Sequence, residues 1–389
     1  MRVLFYLPVI TPYWFNDSVS HLIRSAAQQH EVHVIVPPLW SGTGIGQAEL
    51  QRCADLTEVH WHIIGSADHP SYRTRPEDPD ALVAFVETID PDYTICRSAD
   101  VETPARFPGR IAYLMEAEFA PTLFGPVPIG GRLQITWPDF FAFGMMPSLS
   151  EAERTWLLEV TSARWRELGN ATDAADRQRA LAELGIPPDR KIISLPLQCQ
   201  RRDNFFGQVH GLQESPDAFV ARIAAALGPD YLLAVSLHPI DLRDAIRTPA
   251  LDRIAQMDPE RVRIAAVAAE SERGSVTDTL IRYADALVVA ESKSIMIAAL
   301  HGKPILRVSS HPTAPWVRAY DDPEAFAAAL RDGSAAAPAP EDALVYYGYH
   351  YANNAFVAAE TSFEEVIART DRPHDPGRWK RALGVASGD

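Results

Sequence analysis

The amino-acid sequence predicts an α/β protein with two doubly wound domains, each a parallel sheet with helices on both faces. Short apolar runs such as Val3–Leu7, Glu31–Val36 and Lys191–Leu197 alternate with segments of helical periodicity in both halves. This alternation is typical of parallel strands joined by crossover helices. The length of 389 residues also favours two domains over one.

The first half of the chain carries one series of predicted strands and helices. The predicted strands are Val3–Leu7, Glu31–Val36, Glu58–Ile64, Asp92–Cys96 and Arg110–Met115. The predicted helices are Asp17–Gln29, Gln47–Cys53, Asp80–Ile89, Ser150–Leu168 and Ala174–Leu184. Residues 119–147 are rich in Gly, Pro and aromatic residues, and we expect a long loop there.

The second half repeats the alternation after the Pro- and Gly-containing segment Gly185–Arg190, the best candidate for a linker. The predicted strands are Lys191–Leu197, Tyr231–Leu237, Arg261–Val267, Ala286–Ala290 and Pro304–Val308. The predicted helices are Pro216–Leu227, Asp241–Met257, Ser275–Tyr283, Ser294–Leu300 and Glu324–Leu330. The expected organisation is an N-terminal domain (1–187), a C-terminal domain (188–335) and a helical tail (336–389).

Composition and charge exclude several classes of protein. The chain has 36 Lys and Arg against 51 Asp and Glu, and this net charge of −15 argues against a nucleic-acid partner. Cys53, Cys96 and Cys199 are odd in number and scattered, so we expect neither a disulfide framework nor a cysteine zinc site, but a reducing cytoplasm. Apolar runs are too short for a transmembrane helix, and residues 1–10 are interpreted as a first strand rather than a signal peptide.

Polar side chains follow four strands of the second half. Ligands of open parallel sheets bind beyond the carboxyl ends of the strands, so these positions are the first candidates for a site. The residues found there are Gln198, Arg201, Arg202 and Asp203, then His238, then Ser292, Lys293 and Ser294, and finally Ser309, Ser310 and His311. Hydroxyls, backbone N–H groups and a lysine at the start of a helix are suited to hold a phosphate.

Short motifs run through Lys191–Arg307: LPLQ followed by an aspartate, then HP, then DALVV-x-x-S-x-S-x-x-x-x-A-x-x-x-GKP. In this order they resemble the C-terminal half of GT-B glycosyltransferases, in particular the capsular-polysaccharide Kdo transferases and, more distantly, the bacterial sialyltransferases. The resemblance implies that His238, Ser292 and Ser294 hold the phosphate of a nucleotide-sugar such as a CMP-sugar. It places Gln198 and Asp203 toward the donor or the catalytic centre, and Arg201 and Lys293 complete the expected donor site.

The resemblance also carries expectations for the whole chain. It implies two domains facing across a cleft, with the acceptor on the first and the donor on the second, and a tail that packs back toward the first domain. Catalysis would need no metal, and no cofactor other than the nucleotide-sugar co-substrate. A bacterial polysaccharide or glycolipid acceptor would place the protein in the cytoplasm, near the inner membrane face but not inserted.

The first domain is expected to supply the acceptor site and a general base. A carboxylate suits the base because it can take the proton of an acceptor hydroxyl, and the candidates are Asp17, Glu116 and Glu118. Tyr13 and Trp14 are candidates to stack on a sugar ring. Each has a structural alternative: a helix N-cap for Asp17, a solvated turn for the glutamates, and packing on the core for the aromatics.

The donor-side residues have structural alternatives as well. His238 can cap a helix or loop, and the serines can act as N-caps of the helix that follows them. His60 and His62 lie two apart on one strand face without a third ligand nearby in sequence, so a metal site is not expected.

Three other functions stay open at this point. A UDP-sugar epimerase of similar fold would form product without an acceptor. A teichoic-acid-type transferase would turn over a CDP-polyol. A non-catalytic sugar-nucleotide-binding protein would bind the nucleotide without turnover.

Overall fold

The structure of the chain is a computed structural model that describes residues 1–65, 71–117, 123–124, 133–137, 144–168, 174–266, 275–372 and 374–384. Its strands are β1 Arg2–Tyr6, β2 Glu31–Val36, β3 Val59–Ile63, β4 Tyr93–Cys96, β5 Arg110–Glu116, β6 Leu133–Trp137, β7 Lys191–Pro196, β8 Tyr231–Ser236, β9 Val262–Ile264, β10 Ala286–Val289, β11 Ile305–Arg307 and β12 Ala355–Val357.

Its helices are α1 Pro12–Trp14, α2 Ser20–Ala26, α3 Gln47–Arg52, α4 Ser71–Thr74, α5 Pro79–Ile89, α6 Glu151–Glu167, α7 Ala174–Glu183, α8 Phe205–His210, α9 Pro216–Leu227, α10 Pro239–Arg243, α11 Pro249–Ala255, α12 Val276–Tyr283, α13 Ile295–Leu300, α14 Pro323–Asp332, α15 Pro340–Asn354, α16 Phe363–Asp371 and α17 Pro376–Ala382. A π turn, Phe15–Val19, joins α1 to α2. Among the described helices, none has both the length and the apolar character needed to cross a membrane.

The residues pack into two compact units. Unit 1 comprises Met1–Ala142 and Tyr347–Asp389, and unit 2 comprises Phe143–Tyr346. The helices α6 and α7, expected in the N-terminal domain, therefore pack with unit 2. The domain limits expected from the sequence, 1–187, 188–335 and 336–389, describe domains that fold independently. They stay a prediction.

Unit 1 contains, in its described part, a seven-stranded sheet in the order β12-β6-β5-β4-β1-β2-β3. The strands from β3 to β5 are parallel, and β6 and β12 add two antiparallel strands at the β5 edge. The central strands are buried on both faces, which explains why EVHVIV is almost continuously apolar. After β1 the chain first builds β2 and β3 on one side and then crosses to β4 on the other.

Unit 2 contains, among its described residues, a five-stranded parallel sheet in the order β11-β10-β7-β8-β9. Its chain path is the same: β8 and β9 lie on one side of β7, and the chain then crosses to β10 and β11. Two doubly wound sheets in one α/β chain confirm the predicted fold class. In each unit the crossing defines a switch point, between β1 and β4 and between β7 and β10, where the loops diverge and leave room for a ligand.

The C-terminal tail is built into unit 1 and is not purely helical. After α15 the chain forms β12, which pairs with β6 through Ala355 and Ile135. Phe356 and Phe363 are almost fully buried in the core of unit 1, where the Phe363 ring lies 5.8 Å from that of Phe5. A strand of only three small and apolar residues is too short for its alternating pattern to stand out in the sequence.

Several element boundaries predicted from the sequence are wrong for identifiable reasons. The helix expected from residue 17 begins at Pro12, because the Thr11 hydroxyl caps it by accepting from the Trp14 N–H at 3.2 Å. The helix expected over 241–257 is two helices, since Thr248 and Pro249 start a new one. The expected loop at 119–147 contains β6, and α8 was not predicted at all.

Candidate functional site

The carboxyl edge of the unit 2 sheet brings the predicted donor residues together. Gln198 follows β7 and Glu291 follows β10, and the Gln198 Nε2 donates to the Glu291 carbonyl oxygen at 3.4 Å. His238 follows β8 on the other side of β7. Two strand spacings are about 10 Å, so His238 and the loop after β10 flank Gln198 at the switch point.

Ser292 and Ser294 form a pair of hydroxyls in the loop between β10 and α13. Their Oγ atoms lie 2.7 Å apart, and the Ser294 backbone N–H donates to the Ser292 Oγ at 3.3 Å. The Ser294 hydroxyl makes no capping hydrogen bond to α13, whereas the Ser292 hydroxyl accepts a backbone N–H just before the helix, as in the structural alternative. Because α13 has six residues, its dipole is small, and the hydroxyls with Lys293 between them give the loop its chemistry.

A buried ion pair holds this loop in place. Glu291 and Arg307, at the ends of the neighbouring strands β10 and β11, meet at 2.6 Å with 8% and 2% of their side chains exposed. Arg307 also donates to the His311 carbonyl oxygen at 2.6 Å and the Thr313 hydroxyl at 2.7 Å, and the Ser309 hydroxyl donates to Glu291. Burial raises the pKa of the Glu291 carboxyl, which the Arg307 charge and the Ser309 hydroxyl oppose.

A small cavity opens beside Gln198, between the loop that follows β7 and the helices α8 and α9. Its volume is about 220 Å³, and Gln198, Arg201 and Gln208 are among its polar lining residues. Typical ligand pockets measure roughly 300–1,000 Å³, so this one fits a part of a nucleotide-sugar. Gly211 makes room for the glutamine, because a Cβ there would lie 2.5 Å from the Gln198 Oε1.

His238 and Asp241 tie α10 to the loop after β7. The Nδ1 of His238 accepts from the Ile240 N–H at 3.2 Å, which is the capping role offered as the structural alternative. The ring proton of neutral His238 is then on Nε2, which makes that atom a donor. Asp241 is buried and accepts from the Gln200 N–H at 2.9 Å, so the loop carrying Gln198 is anchored to α10.

Arg201 and Asp203 neutralise each other. The Arg201 Nε and Nη2 donate to the two Asp203 carboxylate oxygens at 2.9 and 2.8 Å, and its Nη1 lies 3.4 Å from Asp244. Two carboxylates on one guanidinium leave little positive charge for a phosphate. Both residues follow β7, where donor residues were predicted, but their charged groups contact each other.

Unit 1 has a charged group at the equivalent place. Arg97 follows β4 and donates to the Glu116 carboxylate, at the end of β5, at 2.8 Å. The Arg97 guanidinium also lies 3.7 Å from the centre of the Trp14 ring. These contacts bring together two predicted residues, Glu116 and Trp14, through an arginine that the sequence analysis did not single out.

The remaining acceptor-side predictions fall in different places. Tyr13 is exposed, whereas Trp14 is buried in the core of unit 1 and can act on a ligand only through Arg97. Asp17 is exposed in the π turn and caps no helix, since Thr11 takes that role. Glu118 lies outside the described residues.

Some residues of these contacts were not predicted from the sequence, because their partners lie on other strands or loops. They are Arg97, Asp241, Glu291 and Arg307. A signal existed for two of them. Glu291 directly follows a buried strand, and Asp241 lies in the first turn of a helix that begins at His238-Pro239. The arginines resemble ordinary surface residues until the strand order is known.

Solved structures of similar fold include a β-Kdo 2,7 transferase, KpsC of Thermosulfurimonas dismutans, at 13% identity and a TM-score of 0.38, covering 86% of this chain and 99% of that one. The β-Kdo 2,4 transferase of the same KpsC matches at 9% identity and a TM-score of 0.39, covering 80% and 89%. A glycosyltransferase from Rickettsia africae matches at 8% identity and a TM-score of 0.34, covering 98% of both chains. No protein-family model and no curated protein matches the sequence. Similarities this distant assign no activity, so the function is argued from the site.

Replacing Arg307 by methionine should lower the free energy of unfolding by about 3–5 kcal/mol, because it leaves Glu291 buried without its partner. The loss should shrink as the pH falls. Arg307 opposes the increase that burial causes in the pKa of Glu291, so its removal raises this pKa further. Between the unfolded and the folded pKa, the folded variant holds a proton that the unfolded chain releases, so its stability decreases as the pH rises through that range. Urea titrations from pH 5 to 8 measure both effects.

The double variant Glu291→Gln/Arg307→Met is the matched control. It removes both charges and should recover most of the lost stability without the pH dependence. Equal stability of Arg307→Met and the wild type at pH 8 would contradict the role given to the ion pair.

Proposed function

We propose that the protein is a glycosyltransferase that moves a sugar from a nucleotide-sugar donor to a saccharide or glycolipid acceptor, such as a bacterial polysaccharide. The observation that carries the proposal is the convergence of Gln198 and the Ser292–Ser294 loop at the switch point of the unit 2 sheet. This is where doubly wound sheets bind nucleotides. The motifs of Lys191–Arg307 resemble those of the capsular Kdo transferases, and this resemblance favours a CMP-sugar as the donor.

In the proposed donor site the serine hydroxyls and Lys293 bind the phosphate. One of the two hydroxyls donates to the other at 2.7 Å, and both hydroxyl hydrogens can rotate toward a phosphate oxygen when one is bound. The Nε2–H of His238 reaches the same edge from β8. These groups stabilise the leaving phosphate in place of a cation, so the transfer needs no metal.

In the proposed reaction Glu116 is the general base that takes the proton of the acceptor hydroxyl. The Arg97 contact holds its carboxylate in one orientation, and exposed Tyr13 offers a ring to the acceptor sugar. Asp17 and Asp203 are weaker candidates. Asp17 lies in an exposed turn, and Asp203 accepts from Arg201 on both carboxylate oxygens and is less exposed than Glu116, which accepts from Arg97 on Oε1. The base must lie at the acceptor oxygen, and the variants below separate the candidates.

A nucleotide screen tests the donor site. CMP, UDP, GDP and CDP are added in turn, and we expect one of them, CMP first, to raise the melting temperature, since a ligand stabilises the folded state that binds it. Ser294→Ala should weaken the affinity for that nucleotide about 10–100-fold, the value of one hydrogen bond to a charged group, as measured by calorimetry.

Ser334→Ala is the control for this experiment, since Ser334 is exposed beyond α14 and its hydroxyl contacts only Asp332 among the described residues. It should bind the nucleotide as the wild type does. Wild-type affinity in Ser294→Ala, or no response to any of the four nucleotides, would refute the donor site.

Glu116→Gln tests the base. We expect kcat to fall about 10²–10⁴-fold, because the amide cannot accept the proton, while the affinity for the nucleotide is unchanged. The matched control is Glu87→Gln, an exposed glutamate on α5. Full activity of Glu116→Gln, with loss in Asp17→Asn or Asp203→Asn instead, would move the base to one of those residues.

The same assays separate the other candidate functions. Product without any acceptor identifies an epimerase, and turnover of a CDP-polyol identifies a polyol-phosphate transferase. Nucleotide binding with no turnover of any donor identifies a non-catalytic binding protein.

A further inference from the structure

Three histidines and a glutamate share one face at the β3 edge of the unit 1 sheet. The edge strand β3 pairs with β2 so that His60 lies opposite His33 and His62 lies opposite Ile35. Side chains two apart on a strand point to the same side, so Glu31 and His33 of β2 lie beside His60 and His62 of β3.

The ligand atoms of three of these residues surround one point. The carboxylate of Glu31 and one ring nitrogen each of His33 and His60 all lie within 4.8 Å of one another. The His33 Nε2 lies 3.0 Å from the Glu31 Oε1, and the His33 and His60 rings are stacked with centres 4.5 Å apart. Glu31 and His60 are exposed and can move, whereas His33 is largely buried.

His62 sets the orientation of the central imidazole. The His33 Nδ1 lies 3.0 Å from the His62 Nε2, and the ring of Phe85 covers His62 at 5.1 Å. At 3.0 Å the His62 Nε2 can accept a hydrogen bond from the His33 Nδ1. His33 can then donate from Nδ1 and turn the lone pair of Nε2 toward Glu31 and His60, which is the tautomer that a metal ligand requires.

We propose that Glu31, His33 and His60 bind one Zn²⁺ ion, with His62 as the residue that positions His33 and with water in the fourth coordination position. Two imidazoles and a carboxylate are ligands that zinc prefers, at about 2.0–2.2 Å. Tetrahedral coordination brings the ligand atoms to about 3.4 Å from one another, so the more separated ones must approach by roughly 1 Å.

Zinc takes the Nε2 side of the His33 ring. That nitrogen faces Glu31, and the contact between Nδ1 and His62 is kept when the ion binds. The ion bridges β2 and the edge strand β3, which on one side has no neighbour among the described strands. Zinc therefore stabilises unit 1 at its β3 edge.

His60 and His62 have no third ligand nearby in the chain, so the sequence alone predicts no metal site at these positions. Glu31 and His33 are almost 30 residues earlier, and only the pairing register of β2 with β3 brings them alongside. A metal site across two parallel strands is therefore invisible until that register is known.

Calorimetry with Zn²⁺ on the full-length, tag-free protein tests the proposal, and Co²⁺ provides a visible spectrum of the coordination geometry. We expect one ion per chain, proton release on binding, and a higher melting temperature with zinc. His60→Ala should abolish the binding, and His62→Gln should weaken it about 10–100-fold, as loss of a positioning partner does.

His21→Ala is the matched control, because His21 is an exposed histidine on α2 outside the cluster, and it should bind zinc as the wild type does. Exposed His60 is not part of the core, so its variant should remain folded without metal. Equal zinc affinity in His60→Ala and His21→Ala would overturn the proposal. One ion per two chains, with a zinc-dependent dimer, would overturn it as well.

Discussion

The loop that carries the serine pair depends on the buried ion pair between Glu291 and Arg307. Both charges are almost completely removed from water. The Ser309 hydroxyl donates to Glu291, and Arg307 donates to the Thr313 hydroxyl and to the His311 carbonyl oxygen. Burying two charges is costly, so the geometry must be well satisfied for the pair to persist. The ion pair therefore holds the ends of β10 and β11 together, and it fixes the start of the loop that carries Ser292 and Ser294.

Each unit pairs an arginine with a glutamate at the carboxyl ends of two neighbouring strands, and the order of the two charges along the chain is reversed between the units. In unit 1, Arg97 follows β4 and Glu116 is the last residue of β5. In unit 2, Glu291 follows β10 and Arg307 is the last residue of β11. Neighbouring parallel strands end at the same edge, so a charge placed on one is best neutralised from the other. The unit 1 pair is more exposed, at 12% and 24%, and its glutamate is accordingly the better candidate to meet a substrate.

The sequence predicted what is local and missed what depends on strand order. Apolar periodicity located the parallel strands, and the rule that ligands bind at their carboxyl ends located Gln198, His238 and the serine pair. The remaining contacts of the site depend on which strands are neighbours in the sheet. Arg97 and Arg307 could not be distinguished from surface arginines, and the short strands β6 and β12 leave little periodic signal. The bidentate contact between Arg201 and Asp203 was not predicted either, and the catalytic role expected for Asp203 stays a prediction.

Hydrogen exchange measured with and without the bound nucleotide tests the central claim most directly. If the switch point of unit 2 holds the donor, the nucleotide should slow exchange of backbone amides in the loops 198–201 and 291–296, and leave the β2–β3 edge of unit 1 unchanged. Protection confined to other segments, with these two loops exchanging as in the unliganded protein, would contradict the account.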